Sequence, residues 1–382
     1  MINKLRSAFF RRPQAAVAVA AVAALAVTAT VLPASAGTDT AAPGWQVAFK
    51  HHYGNASGFS AYSDLAVVSA DNAWALGNDF AGTSEVPVAE HWNGKGWTSS
   101  AMPAGVTGTI AASVVLSSKD IWAVTDEGGY IVRWNGSKWL LVKHLPDGGN
   151  DTLLSGITAL SDHDVWVFGS TPVGPGYGTW HYDGHTWKRV VSLAADVTAA
   201  TATSPSNIWG IGDGRLGPFQ QVDRYNGHAW ADVTPAALAA AATNFQLSFG
   251  GAWAQSSTST WVTAMTSGAD GARLYHVVSG KWSAVRLPWA ASGLGLPLPD
   301  GNGGFWLPAY VGSVTWIWHR TAAGKWSRIP FVPGSGIGAN ALIGIDDYAA
   351  IPKTSSLWAA GFDYAKGQVG STATVWAYGS PR

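Results

Sequence analysis

The sequence predicts an all-β fold, a seven-bladed β-propeller of four-stranded antiparallel blades whose N-terminal strand completes the last blade. Three observations carry this. A tryptophan in an apolar strand recurs seven times, at Trp74, Trp122, Trp166, Trp209, Trp261, Trp306 and Trp358, with separations of 48, 44, 43, 52, 45 and 52 residues. A hairpin leading into a second tryptophan recurs six times, and the two chain ends supply the complementary parts of a seventh unit. A period of this length marks a repeated supersecondary unit that buries its faces only against its neighbours.

The most regular copy runs from Ser155 to Val191. It contains four short segments rich in β-branched and aromatic residues, GITAL, VWVFG, GTWHY and TWKRVV, each of strand length. Asp183-Gly184 separates the last two and predicts a two-residue hairpin turn there. Equivalent hairpins are Trp92-Asn93-Gly94-Lys95-Gly96-Trp97, Trp134-Asn135-Gly136-Ser137-Lys138-Trp139 and Tyr225-Asn226-Gly227-His228-Ala229-Trp230, with looser versions before Trp282 and Trp326.

In chain order, the first element is an export signal. Lys4, Arg6, Arg11 and Arg12 precede an apolar run from Ala15 to Val31, and Ala34-Ser35-Ala36 offers small residues for cleavage. Residues 1–36 are therefore expected to be a signal peptide, 37–43 a short linker and 44–382 the propeller. Removal of the signal takes four basic residues and no acidic one, leaving 19 basic against 23 acidic residues. A mildly acidic chain argues against a nucleic-acid partner, which calls for a basic stripe. The chain has no cysteine, which excludes thiol catalysis, thiolate metal sites and disulfide staples.

Gly44-Trp45-Gln46-Val47 reads as a fourth strand with no blade before it, whereas the chain ends on a third strand, Val375-Trp376-Ala377-Tyr378, with no fourth after it. Pairing the two closes a ring and removes two exposed edges. An open solenoid would need polar caps, and none is visible. Strands covered on both faces read as continuous apolar runs, as in Val165-Trp166-Val167-Phe168. The widening wedge between blades accounts for most of the 22 tryptophans: seven mark second strands and seven fourth strands. Trp92, Trp134 and Trp318 are read as ending third strands, and Trp180, Trp316 and Trp376 as lying two residues before such an end. Trp253 and Trp289 have no repeat position. After Val233, Thr234 as N-cap with Pro235 in the first turn predicts a short helix.

With its D-x-W-A-x-G and W-N-G-x-x-W repeats, the sequence resembles the Trp-rich β-propellers found among proteins exported by actinomycetes, over nearly all of residues 44–382. It is distantly similar to Asp-box and kelch propellers, although Asp183-Gly184-His185-Thr186-Trp187 lacks the residue between Asp and Gly and the paired glycines of kelch blades are missing. The resemblance implies a secreted, extracellular propeller and specifies no activity.

Function is expected on the face whose loops do not repeat, those between second and third strands and between blades. These loops offer Tyr53, Asp79, Glu85, Asp126, Glu127, Tyr177, Arg215, Asp270, Tyr310, Asp363 and Tyr364 as ligand-binding candidates. A sialidase-type site needs an arginine cluster, yet the nine arginines beyond the signal are spread over strands. A copper radical oxidase of the kelch type would need a cysteine. His51-His52, with no carboxylate beside them in sequence, are expected to be solvated, and the glycine-rich Asp147–Asp151 and Asp300–Gly304 segments are expected to be turns rather than calcium loops. No metal site or cofactor is expected. The expected protein is a monomeric binding propeller for a glycan or an extracellular protein or peptide, without a stable membrane anchor after cleavage. The alternative is a carbohydrate-active hydrolase or lyase using loop carboxylates near the axis.

Overall fold

The computed structural model describes residues 44–379 apart from 54–57, 82–83, 146–152, 171–176, 191–194, 215–219, 245, 268–270, 334–340 and 365–369. The export segment and the Asp147–Asp151 loop lie outside the described residues. β1 (Trp45–His51) opens the fold. Blade 1 is β2 (Ala61–Ser69), β3 (Asn72–Ala81), β4 (Ser84–Trp92) and β5 (Trp97–Ser99), and blade 2 is β6 (Ile110–Ser117), β7 (Asp120–Thr125), β8 (Tyr130–Trp134) and β9 (Trp139–His144). Blade 3 is β10 (Leu153–Ser161), β11 (Asp164–Ser170), β12 (Thr179–Tyr182) and β13 (Trp187–Val190); blade 4 is β14 (Ala195–Ser204), β15 (Asn207–Gly214), β16 (Gln220–Tyr225) and β17 (Trp230–Asp232). After helix α1 (Ala236–Thr243), blade 5 follows as β18 (Leu247–Ser256), β19 (Ser259–Thr266), β20 (Ala272–Val278) and β21 (Lys281–Val285). Blade 6 comprises β22 (Gly293–Leu294), β23 (Leu298–Pro299), β24 (Phe305–Val311), β25 (Val314–Arg320) and β26 (Trp326–Pro330), and blade 7 β27 (Leu342–Ala350), β28 (Leu357–Tyr364) and β29 (Thr372–Tyr378).

Seven antiparallel sheets form a ring in which first strands lie against one another from blade 1 to blade 5 and from blade 6 through blade 7 back to blade 1, while blade 6 meets blade 5 through β22 against β19 and β20. The ring closes as the chain ends predict. β1 is the outer strand of blade 7, paired antiparallel with β29 from Trp45 opposite Tyr378 to His51 opposite Ala373. Trp45 is buried and packs on Phe331 at 4.8 Å, Tyr378 at 5.7 Å and Tyr348 at 6.4 Å. In blade 6 the inner strand is split into β22 and β23, because Pro297 and Pro299 remove amide donors from the ladder.

The seven repeat tryptophans all lie on second strands and are at most 6% exposed. They bridge blades: Trp74 meets the fourth-strand Trp139 of the next blade at 5.3 Å, Trp166 meets Trp230 at 6.0 Å and Trp358 meets Trp97 at 5.4 Å. The other face of the indole carries a partner from the third strand. His91 stacks on Trp74, His181 on Trp166, His276 on Trp261 and His319 on Trp306 at 3.9–4.3 Å, while Arg133 and Arg224 lie over Trp122 and Trp209. Each partner is anchored by a polar side chain at the start of the second strand: Asn72 for His91, Asp120 for Arg133, Asp164 for His181, Asn207 for Arg224 and Ser259 for His276. In blade 6 Asp300 takes that role for His319. The Asp or Asn before the repeat tryptophan is thus a fixed acceptor for a cation or imidazole laid on the indole.

The glycine of D-x-W-A-x-G has a steric cause. In six blades the first strand bulges at one place, as between Tyr62 and Asp64. The bulge presses a carbonyl onto the second strand, so a Cβ at Gly77 would stand 1.9 Å from the Ala61 oxygen. Several bulged residues bond to the next blade: Ser63 Oγ donates to the Ile110 carbonyl at 2.5 Å and Ser155 Oγ to the Thr198 carbonyl at 2.7 Å.

Three local expectations shift by a residue or two. The hairpin turn is Gly184-His185, not Asp183-Gly184. Asp183 N–H donates to the Thr186 carbonyl at 3.3 Å, closing the turn, and the Asp183 carboxylate accepts the His185 and Thr186 amides. Gly184 has φ +87°, the left-handed region that glycine enters without a Cβ penalty. The helix is capped at Pro235 without a side-chain hydrogen bond, because Thr234 Oγ1 instead accepts the Val222 amide at 2.8 Å. Trp318 lies two residues inside β25 rather than at its end.

Candidate functional site

The non-repeating loops bring several of the expected residues to the seam where blade 7 meets blade 1. β1 ends there at His51, and the chain then crosses to β2. Ser60 N–H donates to Ser371 Oγ at 2.8 Å, Ser371 Oγ donates back to the Ser60 carbonyl, and Phe59 packs on Phe362 at 4.6 Å. These contacts join residues about 300 positions apart.

At the centre is Glu90 on β4, 1% exposed. Its Oε1 accepts from Tyr53 Oη at 2.9 Å and Ser99 Oγ at 2.6 Å and lies 2.9 Å from His51 Nδ1. Its Oε2 is buried with no hydrogen-bond partner among the described residues. Tyr53 Oη also lies 3.1 Å from Tyr62 Oη, and the Tyr53 and His51 rings stack at 3.9 Å. Burial pushes both phenols well above their ordinary range, with the neighbouring Glu90 charge adding to the effect. Both tyrosines are therefore held as neutral phenols, suited to donating or accepting hydrogen bonds rather than to acting as ionised nucleophiles. His51 is corrected from a solvated to a half-buried residue paired with a carboxylate. His52 is exposed.

Beside this cluster Asp79 Oδ1 accepts Ser60 Oγ at 2.8 Å, and buried Asp363 accepts Thr374 Oγ1 at 2.8 Å and pairs with Lys50 at 2.6 Å. Tyr364 is exposed at the end of β28, opposite exposed Leu342 on β27, and Phe59 is exposed as well. Tyr53, Asp79, Asp363 and Tyr364 thus share one seam.

A second group lies over blades 1 to 3. The Glu85 carbonyl accepts the Gly108 amide, and the Asp126 carboxylate, 1% exposed, accepts the amides of Thr109 and Glu127. Glu127 is exposed, whereas Tyr177 is buried against Gly129 and its carbonyl takes Trp180 Nε1. Tyr310 stands apart on blade 6, its carbonyl accepting the amide and hydroxyl of Ser292. Arg215 and Asp270 lie outside the described residues.

Glu90 was not among the expected site residues, although the repeat marks it. Its column in the third strands reads Val132, Trp180, Tyr275, Trp318 and Trp376 in five other blades and Asp223 in blade 4. A carboxylate in an apolar column signals a polar partner delivered from elsewhere, here the closing strand. Among the described residues no arginine lies on blade 7 or blade 1, so a sialidase-type arginine cluster is not found at the Tyr53–Glu90 pair. The described residues also contain no group of three or more His, Asp or Glu placed to hold a metal ion, and no helix long and apolar enough to cross a membrane.

The fold, its seven buried second-strand tryptophans and the His or Arg laid on six of them define the chain as a Trp-rich seven-bladed β-propeller. No family model and no curated relative matches it. Among solved structures it is similar to U3-55K (TM-score 0.54, 11% identity, covering 88% of this chain and 98% of that chain). It is also similar to YCF48 from Cyanidioschyzon merolae (0.53, 14%, 88% and 98%) and to YCF48 bound to D1 peptide (0.52, 10%, 88% and 97%). At such identities the likeness is one of fold alone.

Proposed function

We propose that the protein is a secreted binding propeller that engages an extracellular peptide or glycan with its non-repeating loop face, centred on the seam of blades 7 and 1. The observation that carries this reading is the juxtaposition at that seam of three exposed apolar side chains, Phe59, Leu342 and Tyr364, with the polar set Lys50–Asp363, Tyr53 and Asp79. An apolar patch rimmed by ordered polar groups is how a soluble protein presents a partner site. Tyr364 offers an aromatic face with a polar tip. That YCF48, a propeller of similar fold, is bound to a peptide of D1 supports the choice of a macromolecular ligand. Secretion rests on the basic, apolar and small-residue order of the first 36 residues.

Peptide and glycan arrays probed with the purified chain, followed by calorimetry on any hit, test this. Tyr364→Ala and Phe59→Ala are expected to weaken the hit about tenfold each, as truncation of an interface anchor does. If both variants bind like the parent, the seam is not the contact surface. If a bound saccharide is turned over and Glu90→Gln abolishes turnover without weakening binding, the hydrolase alternative replaces this reading.

A further inference from the structure

The turns that join first to second strands and third to fourth strands all lie at one end of the ring, opposite the loop face, and lysine is concentrated there. Ten lysines follow residue 36, and six of them stand at these turns: Lys95 in blade 1, Lys119 and Lys138 in blade 2, Lys281 in blade 5, Lys325 in blade 6 and Lys353 in blade 7. All six are exposed, and none makes an ion pair among the described residues. Blade 7 returns to blade 1, so these blades form one unbroken arc, from blade 5 through 6, 7 and 1 to blade 2. Blades 3 and 4 present His163, His185 and His228 instead.

The carboxylates at this end are mostly committed. Asp162 lies between Arg133 and His163, Asp183 bonds Lys188 at 2.8 Å, Asp120 and Asp164 hold Arg133 and His181, and Asp300 is buried against His319. Asp71 in blade 1 is the remaining acidic side chain of these turns. Repetition of the hairpin does not account for the arc, because Lys119 and Lys353 belong to the other turn, between first and second strands. Lys353 also has φ +63°, a left-handed backbone that Gly or Asn takes at lower cost. The Lys119 side chain lies over the hairpin that carries Lys138, 2.9 Å from where a Cβ on Gly136 would stand, so two like charges are kept on one pair of turns.

A positive field confined to one end of a chain with 19 basic against 23 acidic residues after the export segment selects an anionic partner for that end alone. The cations stand singly on turns spaced around a ring, which matches a flat array of anionic head groups rather than a polyanion threaded along a groove. Among the described residues the exposed phenyl and phenol rings, Phe59 and Tyr364, are on the loop face and no indole is exposed, so a base has no ring to stack on at this end. The chain also enters the ring here. Trp45, at the start of β1, lies opposite Tyr378 at the hairpin end of β29, and residues 32–44 separate it from the apolar run that ends at Val31.

We infer that this arc docks the exported protein on the surface of an anionic lipid bilayer. The docked ring turns its loop face outwards, which leaves the seam of blades 7 and 1 open to a partner. The docking face shares no residue with the seam and stands or falls without it.

The test is co-sedimentation of the exported chain, without residues 1–36, with vesicles of phosphatidylcholine alone and of phosphatidylcholine carrying about 30% phosphatidylglycerol. At about 0.1 M salt the chain binds the anionic vesicles and not the neutral ones, and at about 0.5 M it comes off, because screening shortens the reach of the field. Each lysine near an anionic bilayer contributes about fivefold in binding, so Lys95→Gln/Lys325→Gln/Lys353→Gln lowers it about a hundredfold. If that variant misfolds, Lys119→Gln/Lys138→Gln, confined to blade 2, lowers binding about 25-fold. Lys143→Gln, towards the loop end of β9, and Tyr364→Ala at the seam leave vesicle binding unchanged, which separates a failure of this face from a failure of the seam. No binding to the anionic vesicles, equal binding to the neutral ones, parent-like binding by the lysine variants, or an equal loss with Lys143→Gln overturns the docking face. Soluble linear polyphosphate bound as tightly as the anionic vesicles overturns the assignment to a bilayer.

Discussion

Trp45→Ala probes the closure of the ring at a buried residue of the closing strand. Trp45 is 4% exposed and packs against Phe331, Tyr348 and Tyr378. Its Nε1 makes no hydrogen bond among the described residues, so truncation removes packing alone. A buried tryptophan replaced by alanine costs about 3–5 kcal/mol. With an unfolding entropy of about 2 cal/mol/K per residue, a propeller of this length loses about 1.4 °C per kcal/mol, so the midpoint should fall by about 4–7 °C. Differential scanning fluorimetry gives the shift, and hydrogen exchange shows where it acts. Amides of β29 that pair with β1 should exchange faster, while those of blades 3 and 4 should not. Deleting 44–49 should produce a larger drop with the same exchange pattern. A midpoint within about 1 °C of the parent, or loosening spread evenly around the ring, would refute closure by β1.

Other consequences follow from the stacked second-strand unit. Asp164→Ala leaves the Trp166 indole and the His181 ring without their shared acceptor and should cost about 1–3 kcal/mol in urea denaturation, whereas Asp164→Asn should keep most of the stability. Gly77→Ala drives a Cβ into the Ala61 carbonyl and should cost about 1–3 kcal/mol by the same assay. Burial lowers the native pKa of His91, and burial followed by the charge of Arg320 lowers that of His276. The unfolded chain therefore takes up protons first as pH falls below about 6.5, so these two histidines remove stability on acidification. Denaturant midpoints at about pH 7.5 and about pH 5.5, on either side of the ordinary histidine value, should show a smaller acid loss in the His91→Gln/His276→Gln double variant than in the parent; an equal loss would contradict the sign.

The ring was legible because it is written seven times. A tryptophan at one position per repeat, an Asx-Gly hairpin and two unmatched chain ends suffice to specify blade count and closure. The anchored partner of four of the indoles was also in the sequence, in the His or Arg that precedes the aromatic end of the third strand in His91-Trp92, Arg133-Trp134, His181-Tyr182 and Arg224-Tyr225. It emerges only when the third strands are aligned with each other. The turn at Gly184 lies one residue beyond its expected place because Asp183 tolerates turn positions but here serves as the acceptor flanking the turn. The seam was less legible. Ser60 meets Ser371, and the Leu65 amide meets Asp347, across 311 and 282 positions, and only ring closure brings such residues together. Tyr53, Asp79, Asp363 and Tyr364 were expected on a common face, but nothing in their spacing places them at one seam or supplies Glu90 beneath them.

The central claim, a partner site at the seam of blades 7 and 1, is tested most directly by the hydrogen-exchange footprint of a bound array hit on the intact chain. The account predicts protection concentrated in residues 50–62, 84–90 and 357–374, with little change on blades 3 and 4. Protection confined to blades 3 and 4, or to the opposite face formed by the Asx-Gly hairpins, would contradict it.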